Sequence, residues 1–286
     1  MTFRLPLTIV LYDDPYTVGF SLEEVCAYLH SLFPTAEIKT KGEVVREGLS
    51  ALSEAERQKV LEELAYRFAK ARVLNPDKRL EDREPSYGER NYELRRLTRR
   101  GEASGIIYDG WEFQAITADF LGKDRGSPSR PVVCFTNQLV ATYDEGDRRY
   151  HLRTVLLGFP TIVSLPGLSE APAKPREFYL LRDQLIASGL TFSSDALLVP
   201  FQDRCLLPRD ARLTEVAKGY ALQGIFYCLF NEAFCPDPDC RLYNAHWQEE
   251  MLHAQLNGSY DLCPRHTQMI LSLSADKGGK ATEWQA

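Results

Sequence analysis

The sequence predicts an α/β fold, and three observations carry that reading. Segments with strand and helix character alternate through the first seventy residues, the middle of the chain is rich in β-branched strands, and long helical periodicity returns towards the C-terminus. Residues 3–12 (FRLPLTIVLY) form a short run of β-branched and aromatic residues stopped by Asp13, Asp14 and Pro15, as expected of a first strand. Ser21 then caps a segment in which Leu22, Val25, Leu29 and Leu32 recur at helical spacing before Pro34 closes it. Residues 36–45 alternate like a second strand. Ser53 with Glu56 is a capping box ahead of a helix over about 54–72.

Residues 75–104 are polar, with both charge signs and two prolines, and read as an exposed excursion or a solvated helix carrying a basic patch at Arg95, Arg96, Arg99 and Arg100. Residues 105–111 and 131–141 read as strands. Glu145-Gly146 marks a hairpin turn, and 151–165 supply more strand sequence. The proline-rich stretch 164–175 is expected to be a loop. A helix follows at 176–189 with Gly189 near its C-cap, then a strand at 196–201 and a helix over about 213–230.

The 286 residues are enough for one large domain or two modest ones without a disulfide staple. A net charge of −6 argues against nucleic acid as a general partner. The apolar run from Leu5 to Tyr12 lacks a basic lead or cleavage site and reads as a strand rather than a signal peptide; no stretch approaches the ~20 apolar residues of a membrane span. Seven cysteines, an odd number, fit a reducing cytoplasm.

The informative segment is 234–267. Cys235 and Cys240 flank four residues that include two prolines, and Cys263 and His266 flank two. Each pair forms a knuckle that aims two ligands at one point, and three thiolates with one imidazole close a structural zinc tetrahedron without an open position for water. The plainer alternative is cysteines sitting in turns, with His266 solvated at the start of the last helix.

Cys235-Pro-Asp-Pro-Asp-Cys240, Tyr243 and Cys263-Pro-Arg-His266 resemble the C-terminal end of the archaemetzincins, zinc metallopeptidases in which a catalytic helix HExxHxxGxxH runs into a cysteine-bound second zinc. The wider chain is similar to an archaeal group related to them. The resemblance implies a metzincin-like mixed β-sheet with flanking helices over 1–230, a small zinc-braced subdomain at 231–274, and a flexible tail at 275–286. It also implies a departure. The three catalytic histidine positions fall on Gly224, Cys228 and Phe234, and the general-base position on Ile225, none of which can hold a catalytic zinc or take a proton from its water. The helix glycine position falls on Asn231, able to turn left-handed, and the Met-turn position on Leu242. The resemblance therefore implies one structural zinc on Cys235, Cys240, Cys263 and His266, no catalytic residues, and a residual role in binding a peptide or protein along the former cleft.

Other constellations compete. His246, Glu250 and His253 are spaced to share a helix face and could rebuild a metal site for an active metallohydrolase; the bland reading is a polar face opposite Trp247, Met251 and Leu252. Arg149, His151 and Arg153 could grip a carboxylate or phosphate, or be the solvated charges of a hairpin. Cys228, among apolar neighbours, reads as a buried inert thiol, and His30 as structural.

Overall fold

The structure is a computed structural model that describes residues 7–99, 105–190 and 194–275; the flexible tail expected at 275–286 lies outside these beyond Ala275, as does Arg100 of the basic patch. The fold is α/β with a mixed sheet, as the sequence predicts. β1 (Thr8–Tyr12) leads to α1 (Leu22–Leu32), where Ser21 Oγ accepts from Glu24 N–H and Leu22, Val25 and Leu29 are buried. β2 (Glu37–Lys41) ends earlier than expected, because both carboxylate oxygens of Glu43 accept from the N–H groups of Val45 and Arg46 and start α2 (Val44–Leu49) instead. In α3 (Glu54–Lys70) the predicted capping box forms, Glu56 reaching back to Ser53 N–H at 2.9 Å.

The polar excursion contains α4 (Tyr87–Thr98), and this helix is more than a solvated face. Glu93 is fully buried, accepting from Arg72 Nε (2.7 Å), Tyr108 Oη (2.8 Å) and Arg96 Nε (2.6 Å). After β3 (Ile107–Asp109) comes α5 (Gly110–Leu121), started by Asp109 accepting from Glu112 N–H. The segment read as one strand over 131–141 is two, β4 (Val132–Thr136) and β5 (Leu139–Asp144), which belong to different sheets. The break at Asn137-Gln138 is held on both sides: Asp14 Oδ2 accepts from Asn137 N–H, and Ser164 Oγ donates to the Gln138 carbonyl.

β6 (Arg149–Arg153) closes the predicted hairpin with β5, and β7 (Val155–Leu156) and β8 (Thr161–Ser164) follow. The expected loop at 164–175 opens with α6 (Leu165–Glu170). Ser164 Oγ accepts from Gly167 N–H and Pro166 sits in the first turn, where its missing donor is harmless. α7 (Arg176–Ala187) is as predicted. The expected strand at 196–201 is instead α8 (Ser194–Leu198) and a 3₁₀ turn over Val199–Phe201. Phe201 packs edge-on to Phe178 of α7; a short apolar run alone does not distinguish strand from buried helix. Next come α9 (Leu213–Phe230), α10 (Gln248–Leu252) with a π-helical continuation over His253–Asn257, and α11 (Pro264–Ala275).

The main sheet has the order β2-β1-β4-β8-β7, parallel except for antiparallel β7 at its edge; the second has the order β3-β5-β6. Alternation along the strands makes two cores. Ile9, Leu11, Val133 and Val163 face α1 and α9, while Val10, Tyr12, Val132, Cys134 and Ile162 face α2, α3 and α5. Leu242, Met251, Leu252, Leu262 and Ile270 of the C-terminal segment join the first core, so the cysteine knuckles stand on the α9 side of the sheet.

Two arginines share one buried carboxylate in the Glu93 network. Glu93→Gln removes the only negative charge in that contact and is expected to lower stability by about 3–5 kcal/mol, read from urea unfolding.

Candidate metal centre

α9 delivers the chain to this centre. Its C-cap, Asn231, takes the left-handed conformation (φ 54°, ψ 30°) and donates to the Tyr227 carbonyl, turning the backbone out of the helix towards Cys235. The first knuckle is closed by backbone bonds. Cys235 N–H donates to the Leu242 carbonyl (2.8 Å), Cys240 N–H to Asp237 (3.1 Å) and Tyr243 N–H to Cys240 (2.8 Å). Asp237 N–H also donates to Cys235 Sγ at 3.4 Å, a bond that favours the thiolate. Arg241 joins this knuckle to the second, its N–H donating to the Asp261 carbonyl and its Nε to Asp261 Oδ1. Cys263 then precedes α11, and His266 lies in the first turn of that helix.

The four ligand atoms meet. The Sγ atoms of Cys235, Cys240 and Cys263 and one nitrogen of His266 all lie within 4.8 Å of one another, and all four residues are buried, His266 completely. His266 is thus not the solvated helix-start residue of the plainer reading. Zinc–sulfur bonds of about 2.3 Å give a tetrahedral S···S edge of roughly 3.8 Å, and zinc–nitrogen bonds of about 2.0 Å give a mixed edge near 3.5 Å. Cys235 Sγ to Cys263 Sγ is 3.9 Å and Cys240 Sγ to His266 Nδ1 is 3.7 Å, while Cys263 Sγ stands closer to Nδ1 at 3.0 Å. The donor set, its spacing and its closure fit a structural zinc.

The supporting residues fit as well. His266 Nε2 is 2.9 Å from Glu232 Oε1, and the other oxygen of Glu232 is 2.5 Å from Arg265 Nη2. An ionised carboxylate only accepts, so Nε2 carries the proton and Nδ1 turns its lone pair to the sulfurs. Phe226 of α9 meets the imidazole edge-on at 5.5 Å between ring centres. Burial raises the Cys235 and Cys240 thiols above their ordinary range, so three uncompensated thiolates are unfavourable here and a bound dication would reverse that balance. Nothing in the local sequence singles out Glu232: its signal is spatial, a carboxylate just past the α9 cap.

The positions that the resemblance gives to catalytic ligands lie on α9 or just beyond it. Gly224 lies so close to β8 that a Cβ there would meet Thr161 Cγ2 at 2.5 Å and Oγ1 at 2.8 Å. Ile225 is fully buried, burial pushes the Cys228 thiol up to about 12, and Phe234 is partly exposed. Leu242 is fully buried beneath the first knuckle.

His246, Glu250 and His253 do not converge. α10 begins only at Gln248, so His246 precedes the helix that was to carry all three. Glu250 accepts from the backbone N–H groups of His246 (2.9 Å) and Trp247 (3.1 Å), capping α10, and His253 Nε2 is 2.6 Å from Asp239 Oδ1. Among the described residues, the Cys235, Cys240, Cys263 and His266 group alone brings together three or more metal-capable side chains.

Arg149, His151 and Arg153 share one face of β6, in the second sheet rather than at the edge of the main one. Arg153 Nε donates to Thr142 Oγ1 (2.7 Å), His151 Nε2 is 2.9 Å from Asp147, and Arg149 stands opposite Asp144. The main-sheet edge is itself covered: Gln114 Nε2 of α5 donates to the carbonyls of Leu156, Leu157 and Pro160. Among the described residues no helix is long and apolar enough to cross a membrane.

A mixed α/β sheet whose long helix runs into a buried Cys₃His set defines a candidate metalloprotein. The chain belongs to the family described as "Probable metallopeptidase family (DUF6775)", whose model matches residues 5–273. No curated protein and no solved structure matches it.

Two outcomes follow from this geometry. Glu232→Gln, which keeps the shape but weakens the hold on His266, is expected to reduce zinc affinity about 10–100-fold in competition with a chromophoric chelator. Zinc binding is expected to release protons and to strengthen as pH rises from 6 to 8, since the raised thiols must ionise to bind; matched titrations in buffers of different ionisation enthalpy count those protons.

Proposed function

We propose that this member of the family is a zinc-braced protein without peptidase chemistry, similar in design to the archaemetzincins, whose role is to bind a peptide or protein partner. The observation that carries the reading is the contrast along α9. Its C-terminal exit leads to four converging soft ligands, whereas the positions that would hold a catalytic zinc are Gly224, Cys228 and Phe234, with Ile225 where the base would stand. A zinc held by Cys235, Cys240, Cys263 and His266 has four protein ligands and no open position, so it would supply bracing and no activated water. Gly224 supports the loss: a side chain there would displace Thr161, so α9 packs against β8 in a way that an imidazole at this position would prevent.

Partner binding rests on the Arg149, His151 and Arg153 face of β6. Arg149 and Arg153 there can offer guanidinium donors to an acidic segment. Strand addition at β7 is not the favoured mode, because Gln114 already holds its neighbouring carbonyls. The free state of all seven cysteines suits a reducing cytoplasm.

The test is metal content combined with hydrolysis of a fluorogenic peptide library. One zinc per chain, lost in Cys240→Ser together with several kcal/mol of stability and retained in His246→Ala, with no peptide cleavage in either state, is the expected result. Cleavage that disappears in His246→Ala while folding persists would establish instead an active hydrolase built on His246, Glu250 and His253.

A further inference from the structure

We infer a second ligand site, for a small amphipathic carboxylate, on the face of the main sheet opposite the cysteine knuckles. It does not depend on the function proposed above. β1 lies between β2 and β4, and the chain leaves β1 for β2 on one side and later returns to β4 on the other. The carboxyl ends of β1 and β4 therefore form a switch point, the place where open parallel sheets leave a crevice for ligands. A crevice is present there. Its mouth, of about 60 Å³, is lined by Asp14, Arg46, Arg96, Arg99 and Asn137. Its inner lobe, of about 50 Å³, lies between the sheet and α2, α3 and α5 and is lined by Val45, Leu64, Phe113, Ile116 and Ile162. Glu43, Arg96, Leu97, Phe135 and Thr136 border both lobes.

The charges at the mouth are arranged for an anion. Both acids there are already engaged. Asp14 accepts from Tyr16 N–H, Asn137 N–H and Thr17 Oγ1, and Glu43 from Val45 N–H and Arg46 N–H. The arginines are not similarly consumed. Arg96, which borders both lobes, gives its Nε to Glu93; its Nη2 is sealed from solvent with no hydrogen-bond partner, and the guanidinium lies over the Phe68 and Tyr108 rings. Among the described residues, no carboxylate lies within ion-pair distance of Arg46 or Arg99. A carboxylate at the mouth would draw the exposed Arg46 and Arg99 inwards to donate to it, with the Arg96 guanidinium adding positive field behind them, and its apolar body would enter the inner lobe. Size selects that body. A cavity of about 150 Å³ is what benzene occupies, so a lobe a third as large takes a branched aliphatic group of a few carbons rather than a ring.

Calorimetric titration of the full-length protein with 3-methylbutanoate tests the site, with 3-methylbutanamide as the neutral isostere and inorganic phosphate as the anion without an apolar body. Saturable one-to-one binding of 3-methylbutanoate is expected, at least tenfold weaker for the amide and for phosphate, and at least tenfold weaker in the Arg46→Gln, Arg99→Gln double variant, whose exposed changes leave the fold intact. Val45→Phe, which fills the inner lobe, is expected to abolish binding of the carboxylate. No saturable binding to the wild type, equal affinity for the amide, tighter binding of phosphate, or indifference to the two arginines would each overturn the proposal.

Discussion

Four soft ligand atoms brought together in a buried space are the constraint on which the C-terminal third of this protein turns. Three thiols and an imidazole within 4.8 Å of one another would be a poor use of an apolar core unless something cationic joins them. The chain takes trouble to place them: a left-handed Asn231, an N–H···S bond, a backbone bridge from Cys235 to Leu242 and a carboxylate behind His266. These features act on the same few atoms. Because Cys235, Cys240 and Cys263 also belong to the core cluster that contains α1, α9 and β4, bracing the knuckles braces one whole face of the sheet.

α9 links that brace to the sheet. Its packing on β8 is close enough that Gly224 has no room for a side chain beside Thr161, and Cys228 Sγ lies 3.9 Å from the Gly158 carbonyl. A helix presenting imidazole ligands would need space at these positions, and here that space is filled by core. The opposite face of the sheet has a different character, with a buried Glu93 shared by two arginines and a crevice at the strand ends. The two faces are tied together by strands whose alternate residues serve one core or the other.

Much of this was legible in the sequence because it depends on local chemistry. Ser21 and the Ser53 with Glu56 pair mark helix starts, and Glu145-Gly146 marks the hairpin. The two cysteine-containing pairs marked the ligand set without further help. What was not legible depends on partners far along the chain. PVVCFTNQLVA reads as one strand because nothing local reveals that Asp14 and Ser164 pin its middle and divide it between two sheets. ALLVPF reads as a strand because its apolar content does not show that α7 covers it. Glu93 and Glu232 look like surface charges until the arginine or histidine that each one serves is seen beside it. His246 and His253 show the reverse case, a spacing that suggests a shared helix face but is divided by a cap that Glu250 itself provides.

The most direct test of the account is zinc-edge X-ray absorption on the purified protein. A single environment with three sulfurs at about 2.3 Å and one nitrogen at about 2.0 Å, and no bound water, is the shell that Cys235, Cys240, Cys263 and His266 would give. A shell of nitrogen and oxygen ligands, or one with an exchangeable water, would contradict a purely bracing metal and restore a catalytic one.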